Sequence, residues 1–185
     1  MTTLSDDILL QMISSPAERD NGFRALMNKY GRELYWNIRR IVIDHDDTED
    51  VFQECAIKIL NKIDSFRAES ALRNWLLAIA TREALQFLRS KKSFFQSIDD
   101  IGEQMLASLE SQTDLDANEA QMLFNQALLQ LPTRQRVAFN LRYYDELSYD
   151  EIAAITGSSV ATLKSNYHYA VKKIETYIKD NATQL

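Results

Sequence analysis

The chain has 185 residues, of which 45% are hydrophobic, and this share excludes a disordered chain and allows a buried core. Its net charge of −6 argues against nucleic-acid binding, because phosphate repels an acidic surface, and its single cysteine excludes an internal disulfide framework. No apolar run has the length of a membrane helix and the N-terminus lacks a signal-peptide pattern, so we expect a cytoplasmic protein without membrane insertion.

Residues 1–92 are predicted to form a helical bundle. Apolar side chains recur there at steps of three and four residues, which is the period of a helix with one buried face. These apolar stripes cover residues 23–41, 51–63 and 72–88. Asp44 to Asp47 separates the first two stripes, and Asp47 or Thr48 is expected to cap the second helix. A polar loop from Ser65 to Ser70 precedes the third helix.

The acidic excess is confined to residues 93–118, which carry six acidic and no basic side chains. Residues 1–92 carry 14 side chains of each sign, and residues 119–185 carry seven of each. The acidic segment is rich in Ser, Asp and Gln, so we predict a linker, with a short helix possible between Ile98 and Leu109. The net charge therefore does not exclude nucleic-acid binding by the parts on either side.

The C-terminal part, residues 119–185, is predicted to contain four helices. Apolar residues from Ala120 to Leu131 indicate the first helix, and Pro132 ends it. A second helix is expected over residues 133–143. The C-terminal part is therefore long enough for a small helical domain of its own.

The last two predicted helices have the pattern of a helix-turn-helix. Ser148 and Glu151 form a capping box for a short helix over residues 149–156, and Gly157 ends that helix. The long helix from Val160 to Ile178 turns its apolar residues inward. Its outer face carries a cation, hydroxyls and rings, which bind phosphates and base edges in a major groove. These side chains are Thr162, Lys164, Ser165, His168, Tyr169 and Lys172. Periodicity alone leaves open a helical hairpin with a solvated polar face.

Three stretches carry a family resemblance: DDTEDVFQECAIKILNKIDSF, ESALRNWLLAIATREALQFLRSKK and LPTRQRVAFNLRYYDELSYDEIAAITGSSVATLKSNYHYAVKKI. In their order and separation they resemble bacterial RNA polymerase sigma factors of the extracytoplasmic-function type, over roughly residues 20–180. The resemblance implies an all-α fold, with an N-terminal bundle and a C-terminal helix-turn-helix domain joined by a linker. It also implies a subunit that directs core RNA polymerase to promoter DNA, assists melting, and is controlled by an anti-sigma factor.

The resemblance places a polymerase-docking surface on the second helix of the bundle. Asp50, Gln53 and Glu54 match the family positions that contact the clamp helices of the largest polymerase subunit. Acids and an amide on one helical face suit a basic partner. Without the resemblance, the same residues are an acid cluster favoured by the helix dipole on a solvated face.

The resemblance places recognition of the minus-ten element in the loop and helix that follow. The matching residues are Ser65, Arg67, Ser70, Arg73, Asn74 and Arg82. Flipped bases need pockets and stacking, and the backbone needs cations. Trp75 could stack on a base, but its helical spacing favours the core. Lys91 and Lys92 could meet phosphate or simply complement the helix dipole.

For the minus-thirty-five element, the resemblance implies Thr162, Lys164, Ser165, His168 and Tyr169. This chain departs from the family at several positions. Arg82 and Gln86 replace the usual Asn and Asp, and Asn166, Tyr169 and Val171 replace Arg. Fewer cations predict a different base preference and a shallower salt dependence. The acidic linker either enters the polymerase cleft or is a flexible tether.

Three other functions fit parts of the sequence. A helix-turn-helix regulator would bind duplex DNA as a dimer without polymerase, and would not need the motifs of residues 47–90. An enzyme could use Cys55 with His45 or His168, but Cys55 lies on an apolar stripe and is expected to be buried. A helical adaptor or anti-sigma-like protein would lack DNA-dependent activity with core polymerase. Two histidines and one cysteine, widely spaced, predict no zinc site, so we expect no catalysis, no metal and no cofactor.

Overall fold

The computed structural model describes residues 4–94 and 119–181. Within those ranges all regular structure is helical and no strand is formed, which confirms the predicted all-α class. The predicted linker lies almost wholly outside the described residues, as does its short helix between Ile98 and Leu109. No helix in the described part of the chain is both long and apolar enough to cross a bilayer.

The chain divides into two compact units. The first contains residues up to 42 together with residues 46–87, and the second contains residues 43–45 together with residues from 88 onward. The helices of the first part of the chain are α1 (Asp6–Ser14), α2 (Arg19–Val42), α3 (His45–Lys62), a 3-10 turn (Ile63–Ser65) and α4 (Leu72–Phe94). Helix α4 thus continues two residues past the basic run at which the sequence predicts its end.

The apolar stripes form the core of the first unit. Val51, Cys55, Ile59 and Ile63 of α3 and the 3-10 turn are buried, as the helical period predicts. Their buried partners from the other helices include Leu9, Ile13, Leu26, Leu34, Ile38, Ile41, Leu72, Leu76, Leu77, Ala80 and Ala84. The prediction for Trp75 is only partly right, since its ring is half-buried and lies 5.5 Å from that of Phe66.

Helix α1 is fixed to α2 by a charged contact and a close approach. Asp6 accepts hydrogen bonds from Lys29 Nζ and Tyr30 Oη, each at 2.7 Å. Burial raises the pKa of Asp6, but these two hydrogen bonds outweigh it and hold the pKa below its ordinary value. Gly22 allows the helices to touch, because a Cβ there would lie 2.8 Å from Met12 Cβ.

The predicted start of α3 is wrong. The helix begins at His45, and Thr48 lies within it with no exposed surface instead of capping it. The cause is Ile43, which is buried and has a φ of 74°, in the left-handed region that a β-branched residue rarely adopts. This conformation ends α2 abruptly, so α3 begins two residues later and uses the segment expected to be a loop.

The second unit contains α5 (Glu119–Leu129), α6 (Thr133–Tyr143), α7 (Tyr149–Thr156) and α8 (Val160–Asn181). Helix α8 packs against the other three. The core of this unit contains Ala127, Leu128, Leu131, Phe139, Ala170 and Ile174. Phe139 also stacks on Tyr143 and Tyr167, at centroid distances of 5.1 and 5.6 Å. The core of this unit is therefore mainly aliphatic, with an aromatic cluster around Phe139.

Local caps define the helix-turn-helix as predicted. The Ser148 side chain accepts from the Glu151 N–H while the Glu151 carboxylate accepts from the Ser148 N–H, which completes the capping box. Gly157 ends α7 with a φ of 71°, where glycine has no steric penalty. Ser159 then accepts from the Thr162 N–H at 3.1 Å and caps α8.

Candidate functional site

One exposed face of α3 brings together the three side chains predicted to dock on polymerase. Asp50, Gln53 and Glu54 are all exposed, and Ile57 follows them on the same helical face with 55% of its surface exposed. We call these four residues the α3 docking face. Protein interfaces combine exposed apolar side chains with polar ones. The sequence could have indicated that Ile57 is exposed, because it is an apolar residue that lies outside the predicted buried stripe of its helix.

The predicted minus-ten loop is exposed, and an aromatic pair lies at its base. Ser65, Arg67 and Ser70 are all exposed, and the Ser65 hydroxyl donates to the carbonyl of Lys62 at 2.6 Å. Phe66 lies against Trp75 and holds the base of the loop on α4. Ala68, between the exposed residues, has a φ of 56°. The loop therefore exposes Arg67, Glu69 and two serines beside a half-exposed ring.

The α4 residues of the same predicted set differ in their surroundings. Arg73 donates to Glu33 of α2 at 2.7 Å and forms an ion pair with it. Asn74 is half-buried, while Arg82 is exposed two turns further along. Arg73 is thus held by a carboxylate in this structure, unlike Arg67 in the loop.

The predicted minus-thirty-five residues all lie on the exposed face of α8, as the helical period indicates. Two hydroxyls already have local partners: Thr162 shares a hydrogen bond of 2.8 Å with Ser159, and Ser165 donates to the Ala161 carbonyl at 3.1 Å. The rings of His168 and Tyr169 meet edge to face at 5.8 Å, and Tyr169 is 54% exposed. These five residues present one cation and two rings.

The surroundings of Lys164 were missed by the sequence analysis. Its Nζ lies 5.8 Å from the centroid of the Tyr149 ring, and the guanidinium of Arg142 lies 5.4 Å from the same centroid. These three residues come from α8, α7 and α6. Because they lie on three different helices, the periodicity of one helix could not predict that they meet.

Cys55 lacks the environment of a nucleophile. It is fully buried, and burial raises the pKa of its thiol to about 12. Reactive cysteines are accessible and have lowered pKa values. This geometry argues against an enzyme built on Cys55 with His45 or His168.

Comparison with known proteins finds two family models that match different parts of the chain. Residues 26–94 match the family Sigma-70 region 2, and residues 121–174 match Sigma-70, region 4. The chain is 28% identical to the ECF RNA polymerase sigma-E factor of Escherichia coli (strain K12) over 95% of each protein. It is 31% identical to the RNA polymerase sigma factor SigV of Bacillus subtilis (strain 168), over 71% of this chain and 75% of that protein.

A solved structure shares the fold. The sigma factor RpoE from Bartonella quintana, in complex with the anti-sigma factor NepR, superposes with a TM-score of 0.68 at 24% identity. The likeness covers 85% of this chain and 96% of that one.

Proposed function

Because this chain belongs to the extracytoplasmic-function RNA polymerase sigma factors, we propose that its two helical units hold two separate promoter elements while attached to core polymerase. Its function is promoter-directed transcription initiation, with core RNA polymerase and promoter DNA as partners. The observation that supports the proposed division of labour is the match to two regions in order, the first mainly on the first helical unit and the second wholly on the second unit.

The α3 docking face is the proposed contact with core polymerase. Asp50 and Glu54 supply charge for a basic partner surface, and Gln53 supplies an amide. Ile57 adds exposed apolar area beside these polar side chains. Burying such a group against a partner contributes affinity that salt does not screen.

The loop and first turns of α4 are proposed to capture melted minus-ten bases. Arg67, Arg73 and Arg82 would contact the backbone. Ser65, Ser70 and Asn74 would donate to and accept from bases. Unstacking a base costs a few kcal/mol or so, and contacts to the captured base offset that cost. Trp75 is exposed enough beside this loop to contact a base, although it also packs on Phe66.

The outer face of α8 is proposed to enter the major groove of the minus-thirty-five element. Lys164 supplies the cation of this face, while His168 and Tyr169 supply rings beside it. The hydroxyls of Thr162 and Ser165 complete the set. Asn166, Tyr169 and Val171 stand where relatives commonly have Arg, so we expect fewer phosphate contacts and a changed base preference.

We base a proposal for the control and location of this chain on the same family. The Bartonella relative was solved bound to an anti-sigma factor, and we propose that an anti-sigma factor of similar kind holds this chain inactive in the cytoplasm. We further propose that the chain has no catalytic centre of its own and that polymerase supplies the chemistry. The acidic residues 93–118 would connect the two units, inside the polymerase cleft or as a tether.

Fluorescence of a base analogue in the non-template minus-ten strand tests the capture of melted bases. Holoenzyme with the wild-type chain should raise the signal as the base leaves the stack, and Arg67→Ala should lower it several-fold. Arg24→Ala is the matched control, because Arg24 is an exposed arginine of α2 outside the proposed surface. Equal signals from the two variants would remove Arg67 from the site, and no signal with the wild-type chain would contradict the melting role.

A further inference from the structure

Two cations of the second unit lie within reach of the Tyr149 ring. The guanidinium of Arg142, near the end of α6, is 5.4 Å from the ring centroid. The Nζ of Lys164, in the second turn of α8, is 5.8 Å from it. Both distances are within the range of about 6 Å in which a ring attracts a cation. One aromatic ring therefore holds two positive charges that would otherwise repel each other.

The ring itself is fixed by the core and by the helix cap. Tyr149 meets Tyr167 edge to face at 6.3 Å, and Tyr167 stacks on the buried Phe139. Tyr149 is also the first residue of α7, directly after the Ser148 capping box. These contacts restrain the ring, so the positions of the cations follow from the fold.

Arg142 is restrained from a second direction. Its Nη1 donates to the carbonyl of Leu147 at 3.0 Å, which fixes the guanidinium beside the ring. Arg142 and Lys164 remain exposed at the surface. In the part of the chain that the structure describes, neither has a carboxylate within ion-pair distance. Two exposed cations beside one ring, without an acidic partner, form a site for an anion.

We propose that Tyr149 is a positioning residue that holds Arg142 and Lys164 as a pair for one backbone phosphate of the minus-thirty-five DNA. The assignment rests on the proposed use of α8 at that element, since only that docking brings a phosphodiester to this surface. It gives Lys164 a backbone contact, not a base-edge contact. Such a contact sets the register of α8 in the groove and carries no sequence information itself.

The test measures the affinity of holoenzyme for a duplex promoter that it transcribes, as a function of salt concentration. The double variant Arg142→Gln/Lys164→Gln should lower the slope of log affinity against log salt by about one, the amount for one phosphate. The loss should be the same on promoters with altered upstream bases, because a phosphate contact does not read sequence. Lys179→Gln is the matched control, on the same helix about 22 Å further along.

The role of the ring is tested by substitution at Tyr149. Tyr149→Leu should weaken promoter binding about two- to five-fold, which corresponds to the loss of exposed cation–π contacts. Tyr149→Phe should restore the affinity, because the ring is retained. Thermal unfolding of each variant shows whether the unit is folded. The double variant retains the Tyr149 ring, so it tests the two cations alone.

The outcomes separate this inference from the proposed function. An unchanged salt slope in the double variant, or a Tyr149→Phe variant as weak as Tyr149→Leu, would overturn the inference while wild-type promoter binding stands. A base-dependent loss in the double variant would also overturn it, since Lys164 would then read bases. Failure of the wild-type holoenzyme to bind any promoter would contradict the proposed function, and the inference with it.

Discussion

The Nε–H of Arg73 donates to Oε1 of Glu33 over 2.7 Å, and this ion pair joins α4 to α2. The two side chains are 33% and 32% exposed, so the pair lies at the surface of the first unit. Arg73 belongs to the set proposed to bind minus-ten DNA. It must therefore leave a carboxylate before it can contact the DNA backbone.

Replacing Glu33 separates the structural role of Arg73 from its DNA role. Glu33→Gln should destabilise the fold by about 0.5–1 kcal/mol, the value of a partly exposed ion pair. The same change should strengthen binding of single-stranded minus-ten DNA to holoenzyme about two- to five-fold, because Arg73 no longer has to leave Glu33. Fluorescence anisotropy of a labelled oligonucleotide measures this affinity.

Glu83→Gln is the matched control for that experiment. Glu83 pairs with Lys58, a residue outside the proposed DNA surface, with a distance of 2.6 Å between Nζ and Oε1. The Glu83→Gln substitution removes the same charge from another ion pair, so the affinity for DNA should remain nearly unchanged. If both variants bind the oligonucleotide equally, Arg73 does not exchange Glu33 for DNA.

The exposed isoleucine of the α3 docking face gives a second prediction. Ile57→Ser should weaken binding to core polymerase about ten-fold, as for an apolar residue that becomes buried in an interface. This loss should change little with salt, whereas the loss from Glu54→Gln should shrink as salt rises. Titration of core polymerase with labelled chain at two salt concentrations measures both.

A second exposed isoleucine provides the control for Ile57. Ile8 in α1 is 45% exposed and lies outside the α3 docking face. Ile8→Ser should therefore leave the affinity for core polymerase unchanged. Equal losses from Ile8→Ser and Ile57→Ser would show that Ile57 has no special place in docking.

Two left-handed positions in the second unit should respond in opposite directions. Glu146 is exposed with a φ of 57°, so Glu146→Gly should relieve strain and stabilise the fold by about 1 kcal/mol. Gly157 has a φ of 71° and nothing within 4 Å of an added Cβ. Gly157→Ala should destabilise by about 1–2 kcal/mol through the backbone alone. Thermal unfolding measures both changes in stability. Changes of the same sign in the two variants would contradict this prediction.

Burial of Cys55 makes a prediction about pH. Because burial raises the thiol pKa from its ordinary 9.0 to about 12, the folded state retains a proton that the unfolded state loses. This contribution to stability is complete below pH 9 and is lost as the pH rises towards about 12. At pH 8 a thiol reagent should label Cys55 slowly in the native protein and quickly in denaturant. Rapid native labelling at that pH would contradict the buried position.

The sequence predicts the parts of the fold that local chemistry defines. The bounds of α7 follow from the Ser148 capping box and Gly157, which act within a few residues. The exposed face of α8 follows from its helical period. The start of α3 does not follow, because the left-handed conformation of Ile43 depends on burial that no local pattern shows.

Side-chain neighbours from different helices are the other part that sequence does not predict. Arg73 and Glu33 are 40 positions apart, and no sequence pattern predicts that they pair. The same holds for Lys164 and Arg142 around Tyr149. Propensity and periodicity give the face on which a side chain lies, but the partner on that face depends on how the helices pack.

Transcription of a promoter library by core polymerase, with and without this chain, tests the central claim most directly. The chain is used folded and without an anti-sigma factor, and transcript start sites are mapped by sequencing. We expect initiation at defined start sites only when the chain is present, and a shared upstream element and minus-ten element among the selected promoters. An unchanged set of start sites across the whole library would contradict the assignment of promoter-directed initiation to this chain.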